Sequence, residues 1–124
     1  MPTVAVIGAS TDRKKYGNKA VRAYLQEGWT VYPVNPKADE IEGLKCYKSI
    51  LDIPDEIDRA TLYVPPQVGI KVLEEIARKG VKELYVNPGA DSPELLERAR
   101  ELGLEPIVAC SILSIGQQPD DYDE

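Results

Sequence analysis

The chain predicts a three-layer α/β domain: one doubly wound parallel sheet with helices on both faces. Three observations predict it. A helix–glycine–strand phrase occurs three times, at Gln26-Glu27-Gly28-Trp29-Thr30-Val31-Tyr32, at Arg78-Lys79-Gly80-Val81-Lys82-Glu83-Leu84 and at Glu101-Leu102-Gly103-Leu104-Glu105-Pro106-Ile107. Each glycine falls where a helix C-terminus needs positive φ. Second, a short apolar strand starts within a few residues of each glycine, and such tight alternation marks βαβ units. Third, proline or glycine follows nearly every predicted strand, which shapes the strand-to-helix loops.

The first strand is Thr3-Val4-Ala5-Val6-Ile7, closed by Gly8. A glycine at a strand end lets backbone approach a ligand, and the next helix offers free N–H groups and a positive dipole end. The connecting loop runs Ala9-Ser10-Thr11-Asp12-Arg13-Lys14-Lys15-Tyr16-Gly17 and holds three consecutive cations. The helix after it has an apolar face from Ala20, Val21, Tyr24 and Leu25. Further strands are predicted at residues 30–33, 60–64, 83–86 and 105–108, with a short edge strand at residues 44–47 after Gly43. Val68, Val72, Leu73 and Ile76 recur at helical spacing in the second helix. Ser92-Pro93 opens the third as N-cap and first-turn proline, with Leu95, Leu96, Ala99 and Leu102 facing inward. Residues 49–58 read as a polar linker with at most one helical turn. The predicted strand order is 3-2-1-4-5-6, the edge strand being the third. Residues 1–116 form the single domain, and the polar, acidic residues 117–124 form a tail expected to fray.

A chain of 124 residues with 43% hydrophobic and 29% charged residues fits one globular domain with one core. No apolar run is long enough to span a membrane, so cytoplasm is the expected compartment. Cys46 and Cys110 lie far apart in sequence and make no metal-ligand pair; a cytosolic chain keeps them reduced. The net charge of −6 argues against nucleic acid and anionic membrane as partners. The charge is uneven: residues 1–50 carry eight Lys/Arg against five Asp/Glu. The excess near Arg13, Lys14, Lys15, Lys19 and Arg22 suits a small anion, and it also suits a solvated helix start.

Ligands of such sheets bind beyond the carboxyl ends of the strands, where strand order reverses. The segments expected there are Gly8-Ala9-Ser10-Thr11, Pro33-Val34-Asn35-Pro36-Lys37, Pro65-Pro66, Asn87-Pro88-Gly89-Ala90 and Ala109-Cys110-Ser111. The first loop fails the G-x-G-x-x-G fingerprint, since after Gly8 the next glycine is Gly17. Lys37 stands where NAD-binding domains place an acid, which favours a phosphate-bearing ribose, as in NADP or coenzyme A. The chain has no histidine. That removes the commonest general base and metal ligand, and no catalytic or metal site is assigned. Cys110 is the one candidate nucleophile; packing is the alternative role for it, and for Cys46.

Val6-Ile7-Gly8-Ala9-Ser10, Val31-Tyr32-Pro33-Val34-Asn35-Pro36-Lys37, Gly43, Tyr47-Lys48-Ser49-Ile50, Tyr63-Val64-Pro65, Asn87-Pro88-Gly89-Ala90 and Cys110 together resemble the small CoA-binding proteins. The same domain forms the N-terminal part of the succinyl-CoA synthetase α subunit. The resemblance spans roughly residues 3–112 and implies a Rossmann-like domain that binds coenzyme A or a short acyl-CoA. It implies Gly8, Ser10, Thr11, Asp12 and Arg13 at the pyrophosphate, with Ala9, Lys14 and Tyr16 from the same loop. Asn35, Pro36 and Lys37 would meet the adenosine end, with Lys37 on a phosphate. Val64 and Pro65 would flank the adenine or the ligand's middle. Asn87, Pro88 and Gly89 would border the pantetheine arm, and Cys110 would come near the thiol. The synthetase's catalytic phosphohistidine belongs to a second domain, so the resemblance implies a carrier or sensor without ligase chemistry. An NADP-binding redox domain is the first rival reading. A protein-interaction module with a vestigial nucleotide site is the second, and a protein partner or a homo-oligomer stays open.

Overall fold

The computed structural model describes residues 2–123. Its first strand, β1 (Thr3–Ile7), lies inside the sheet, and every residue from Val4 to Ile7 is buried. Side chains alternate across a strand. Val4 and Val6 therefore enter one half of the core while Ala5 and Ile7 enter the other. A strand apolar on both faces needs a helical layer on each side. α1 (Tyr16–Gln26) buries Ala20, Val21, Ala23 and Tyr24 on the Val4 side. β2 (Thr30–Val34) pairs parallel with β1, from Thr3 opposite Thr30 to Ile7 opposite Val34.

β3 (Glu40–Ile41) and β4 (Leu44–Lys45) make a separate antiparallel hairpin. β5 (Arg59–Leu62) lies on the other side of β1, followed outward by β6 (Glu83–Val86) and β7 (Pro106–Val108), all parallel. α2 (Pro66–Lys79) and α3 (Pro93–Glu101) cover the Ala5 face, with Leu73, Ile76, Leu95 and Ala99 fully buried. α4 (Ser111–Ser114) is a single turn whose Ile112 joins the α1 side.

The sheet order is β2-β1-β5-β6-β7. The five long strands fall in the predicted order, and the reversal lies between β1 and β5. The predicted edge strand at residues 44–47 is corrected. Its first half folds back on Glu40–Ile41, and only Tyr47 reaches the sheet, through a parallel bridge to Val34. Gly43, with φ of +78°, makes that reversal and leaves too few residues for a sixth strand.

Two helix faces also differ from expectation. Leu25 and Val68 are 39% and 43% exposed, at the margins of the apolar faces whose other residues enter the core. The linker at residues 49–58 is anchored rather than merely polar. Ser49 caps a 3-10 turn at Ile50–Asp52 by accepting from the Leu51 N–H, and Ile50, Ile53 and Ile57 are buried. Residues 118–123 lie against α1: Arg22 donates to the Tyr122 carbonyl at 2.8 Å and stands 5.4 Å over the Tyr122 ring, while buried Lys19 pairs with Asp123.

Candidate functional site

β1 ends in Gly8, whose φ is +93° and whose N–H donates to the Val34 carbonyl at 3.0 Å. A Cβ at Gly8 would lie 2.6 Å from the Tyr63 carbonyl oxygen and 2.8 Å from Val64 Cγ1. Any side chain would thus force β1 and the end of β5 apart. Gly17, in the first turn of α1, lies against the Gly8 carbonyl. Helix and strand meet backbone to backbone at the switch point, the role of the last glycine in a dinucleotide fingerprint. Here a longer loop delivers it.

That loop is held by its own polar groups. Ser10 Oγ accepts from the Asp12 N–H and Asp12 Oδ1 from the Lys14 N–H, both at 3.0 Å. Asn18 donates to the Ser10 carbonyl at 2.8 Å, and Arg22 donates to the Asn18 side chain and the Arg13 carbonyl, each at 2.8 Å. Arg13 pairs with Glu42 at 3.5 Å. Among the described residues no side chain caps the start of α1, and its first turn contains no acid. Instead Arg13, Lys14 and Lys15 precede it. Cations at the positive end of a helix are unfavourable by about 0.3–1 kcal/mol each, and an anion there reverses the sign.

Asn35 joins this loop to the next. Its amide donates to the Ala9 carbonyl at 2.8 Å, its Oδ1 accepts from the Lys37 N–H at 2.8 Å, and its own N–H donates to the Tyr47 carbonyl at 2.9 Å. Asn35 therefore sets the shape of both loops.

Two clefts open at the carboxyl end of the sheet. One, of about 230 Å³ on the α2 side, is lined by Gly8, Asn35, Pro36, Val64, Val68 and Lys48, with Ser49 and Glu75 also on its wall. Lys48 Nζ donates to the Pro36 carbonyl at 3.2 Å, and Ser49 donates to Glu75 at 2.7 Å. The other, of about 260 Å³ on the α1 side, is lined by Tyr16, Tyr63, Asn87, Pro88, Cys110 and Pro119.

The structure thus brings Gly8, Asn35, Pro36 and Val64 to one cleft and Tyr16, Asn87, Pro88 and Cys110 to the other. Ala9 is buried behind the loop, while Thr11, Asp12, Arg13 and Lys14 project from it into solvent and Ser10 is half-buried. Lys37 is exposed, directly after Pro36 in the chain, and lines neither cleft. Pro65 is the N-cap of α2, and the Gly89 N–H is tied to Asp91. The Asn87 side chain is fully engaged inside. It donates to Thr61 Oγ1 and the Leu62 carbonyl and accepts from the Ser111 N–H at 2.8 Å, so it positions the cleft wall.

Sequence reasoning passed over Lys48, Ser49, Glu75, Tyr63 and Pro119 as site residues. Lys48 and Ser49 stood within the quoted Tyr47–Ile50 stretch, and Tyr63 beside Val64. Glu75 and Pro119 gave no local signal. Cys46 is buried and its thiol donates to the Asn35 carbonyl at 3.6 Å; burial pushes the thiol's pKa up. The Tyr63 hydroxyl is shut off from solvent without a partner among the described residues, and burial raises its pKa as well.

A glycine-ended strand, an uncapped cationic helix start and clefts on both sides of the switch point define a Rossmann-like nucleotide-binding domain. The model of a CoA binding domain matches residues 2–116, and the chain belongs to that family. It is 50% identical over 80 residues to the ADP-forming acetate–CoA ligase of Methanocaldococcus jannaschii, covering 64% of this chain and 11% of that protein. It is 39% identical to the α subunit of ADP-forming acetate–CoA ligase I of Pyrococcus furiosus, covering 94% of this chain and 29% of the subunit. The chain thus spans less than a third of these ligases. A conserved hypothetical protein from Pyrococcus furiosus has the same fold, with a TM-score of 0.85 and 39% identity over 92% of this chain and 99% of that one. Among the described residues no helix is long and apolar enough to cross a membrane.

Proposed function

We propose that this chain binds coenzyme A or a short acyl-CoA as a carrier or sensor, without catalysing a reaction on it. The observation that carries this reading is the start of α1: three cations at an uncapped helix N-terminus, seated on Gly8. That arrangement is costly without an anion and fits a pyrophosphate. Backbone of Gly8 to Asp12 would hold it, with Arg13 and Lys14 adding charge. Pro36, Val64, Pro65 and Val68 offer apolar surface for the adenosine, and Lys37 and Lys48 flank it as partners for a ribose phosphate. The pantetheine arm would then pass Pro88 and Gly89 toward Cys110 and Tyr16. Bound CoA supplies a thiol, free or acylated; the protein supplies the grip and the shelter. The two free cysteines fit a reducing compartment such as the cytoplasm.

Titration calorimetry with CoA, dephospho-CoA, NADP and NAD tests the reading. CoA is expected to bind best, tighter than about 1 mM, which corresponds to about −4 kcal/mol. NADP binding tighter than CoA would replace this reading with a redox one. No binding by any of the four would sink it.

A further inference from the structure

We propose that the α1-side cleft is an acyl subsite selecting uncharged, ring-sized acyl groups, and that the C-terminal segment forms its outer wall. The inference rests on the CoA reading above and adds what the thiol end carries.

The lining carries the argument. Four of its six residues present rings: Tyr16, Tyr63, Pro88 and Pro119. The fifth, Asn87, has both amide hydrogens and its oxygen committed within the fold. The sixth is Cys110, a soft and weakly polar sulfur. Among the described residues no charged side chain lines the cleft. Lys19, whose Nζ lies 5.1 Å from the Tyr16 ring, is bound to Asp123. A carboxylate-bearing acyl group would leave water and find no cation, which is unfavourable. A neutral ring meets a lining made mostly of the apolar ring residues Tyr16, Tyr63, Pro88 and Pro119. The cleft's volume of about 260 Å³ admits such a group.

The wall is built from sequence far from the rest of the site. Pro119 opens the 3-10 turn at Pro119–Tyr122. That turn is fixed to α1 by Arg22 on the Tyr122 carbonyl and ring and by Lys19 on Asp123. The Tyr122 hydroxyl also donates to Gln117 at 2.7 Å, which stiffens the segment. Without it the cleft loses one face and opens to solvent.

The test is calorimetry with CoA, benzoyl-CoA and succinyl-CoA on the full chain, a chain ending at Gly116, and Pro119→Trp. On the full chain benzoyl-CoA should bind at least about ten-fold tighter than CoA, about 1.4 kcal/mol, which burial of a ring supplies. Succinyl-CoA should bind no tighter than CoA. The benzoyl-to-CoA ratio should collapse toward unity in the shortened chain and in Pro119→Trp, which fills the cleft. Should the shortened chain fail to fold, Pro119→Trp decides. Benzoyl-CoA no tighter than CoA, an equal gain for succinyl-CoA, or an undiminished ratio in Pro119→Trp overturns the acyl subsite and leaves CoA binding standing. Failure of CoA itself to bind overturns the underlying reading instead.

Discussion

Gly17 is seated so closely on Gly8 that a Cβ at residue 17 would stand 2.1 Å from the Gly8 carbonyl oxygen. The oxygen is a backbone atom and the Cβ position is fixed by the backbone of Gly17, so no rotamer change relieves that contact. Gly17→Ala must lift α1 off the end of β1. Overpacking of this kind costs about 1–3 kcal/mol, and more where backbone cannot shift. The same displacement would move the cationic loop away from Gly8. Urea unfolding should show a lower midpoint, and CoA titration a weaker affinity than the stability loss alone produces. A variant with wild-type midpoint and affinity would show that α1 has room to spare.

That contact also shows where sequence reading stops. Gly28, Gly80 and Gly103 were legible as helix ends because positive φ is a local demand; their φ values are 81°, 78° and 82°. Ser92 was legible for the same reason, accepting from the Leu95 N–H at 3.1 Å. Gly17 was visible only as a failed fingerprint, since its neighbour Gly8 lies nine positions away around a loop whose path no local rule predicts. The α1-side wall was equally hidden. Residues 117–123 look like a solvated acidic tail until Lys19 and Arg22, a hundred residues earlier, are found beneath them. Lys48 reaches Pro36 only because the hairpin at residues 40–45 turns the chain back. Strand order was readable from alternation, and contact partners across the loops were not.

Lys48 lines the α2-side cleft, and exposed Lys37 directly follows Pro36 of the same lining. If a ribose phosphate sits between them, each contributes mainly to CoA and little to dephospho-CoA. Lys37→Ala and Lys48→Ala should each weaken CoA by roughly two- to five-fold, the size of an exposed ion pair of about 0.5–1 kcal/mol. Dephospho-CoA should be nearly unchanged. Calorimetry with both ligands reads the difference. Equal losses for both ligands would remove that lysine from the phosphate.

Asp58 should give the fold a defined acid limb. The Thr3 N–H donates to its Oδ2 at 2.9 Å, and Lys82 lies 3.6 Å from its Oδ1. The Thr3 backbone bond foremost, with the Thr3 hydroxyl and Lys82 behind it, outweighs partial burial and holds this carboxyl below the usual range. A carboxyl lowered on folding stabilises above its unfolded pKa of about 3.9, and loses that contribution as pH falls through the lower folded value. Asp58→Asn should therefore lower the Tm at pH 7, and the gap to wild type should close below about pH 4. A gap independent of pH would mean that shape, not charge, matters at this position.

Cys110 and Cys46 should react differently with the disulfide form of CoA. Cys110 is half-buried on the α1-side cleft and forms the N-cap of α4, whereas Cys46 is buried with its thiol directed at the Asn35 carbonyl. In the exchange, the Cys110 thiolate attacks one sulfur of the CoA disulfide. A protein–CoA disulfide forms, and one CoA thiolate leaves and takes up the proton. Burial keeps Cys46 protonated, so its share of thiolate is small and its access poor. Intact-mass measurement should show one CoA added, peptide mapping should place it on Cys110, and excess acetyl-CoA, which has no free thiol to reverse the exchange, should slow it by occupying the site. No adduct, or an adduct on Cys46 alone, would separate Cys110 from the thiol end of the ligand. An adduct on Cys110 that acetyl-CoA does not slow would make it merely an accessible thiol, since a competitor without a free thiol acts only by occupying the cleft.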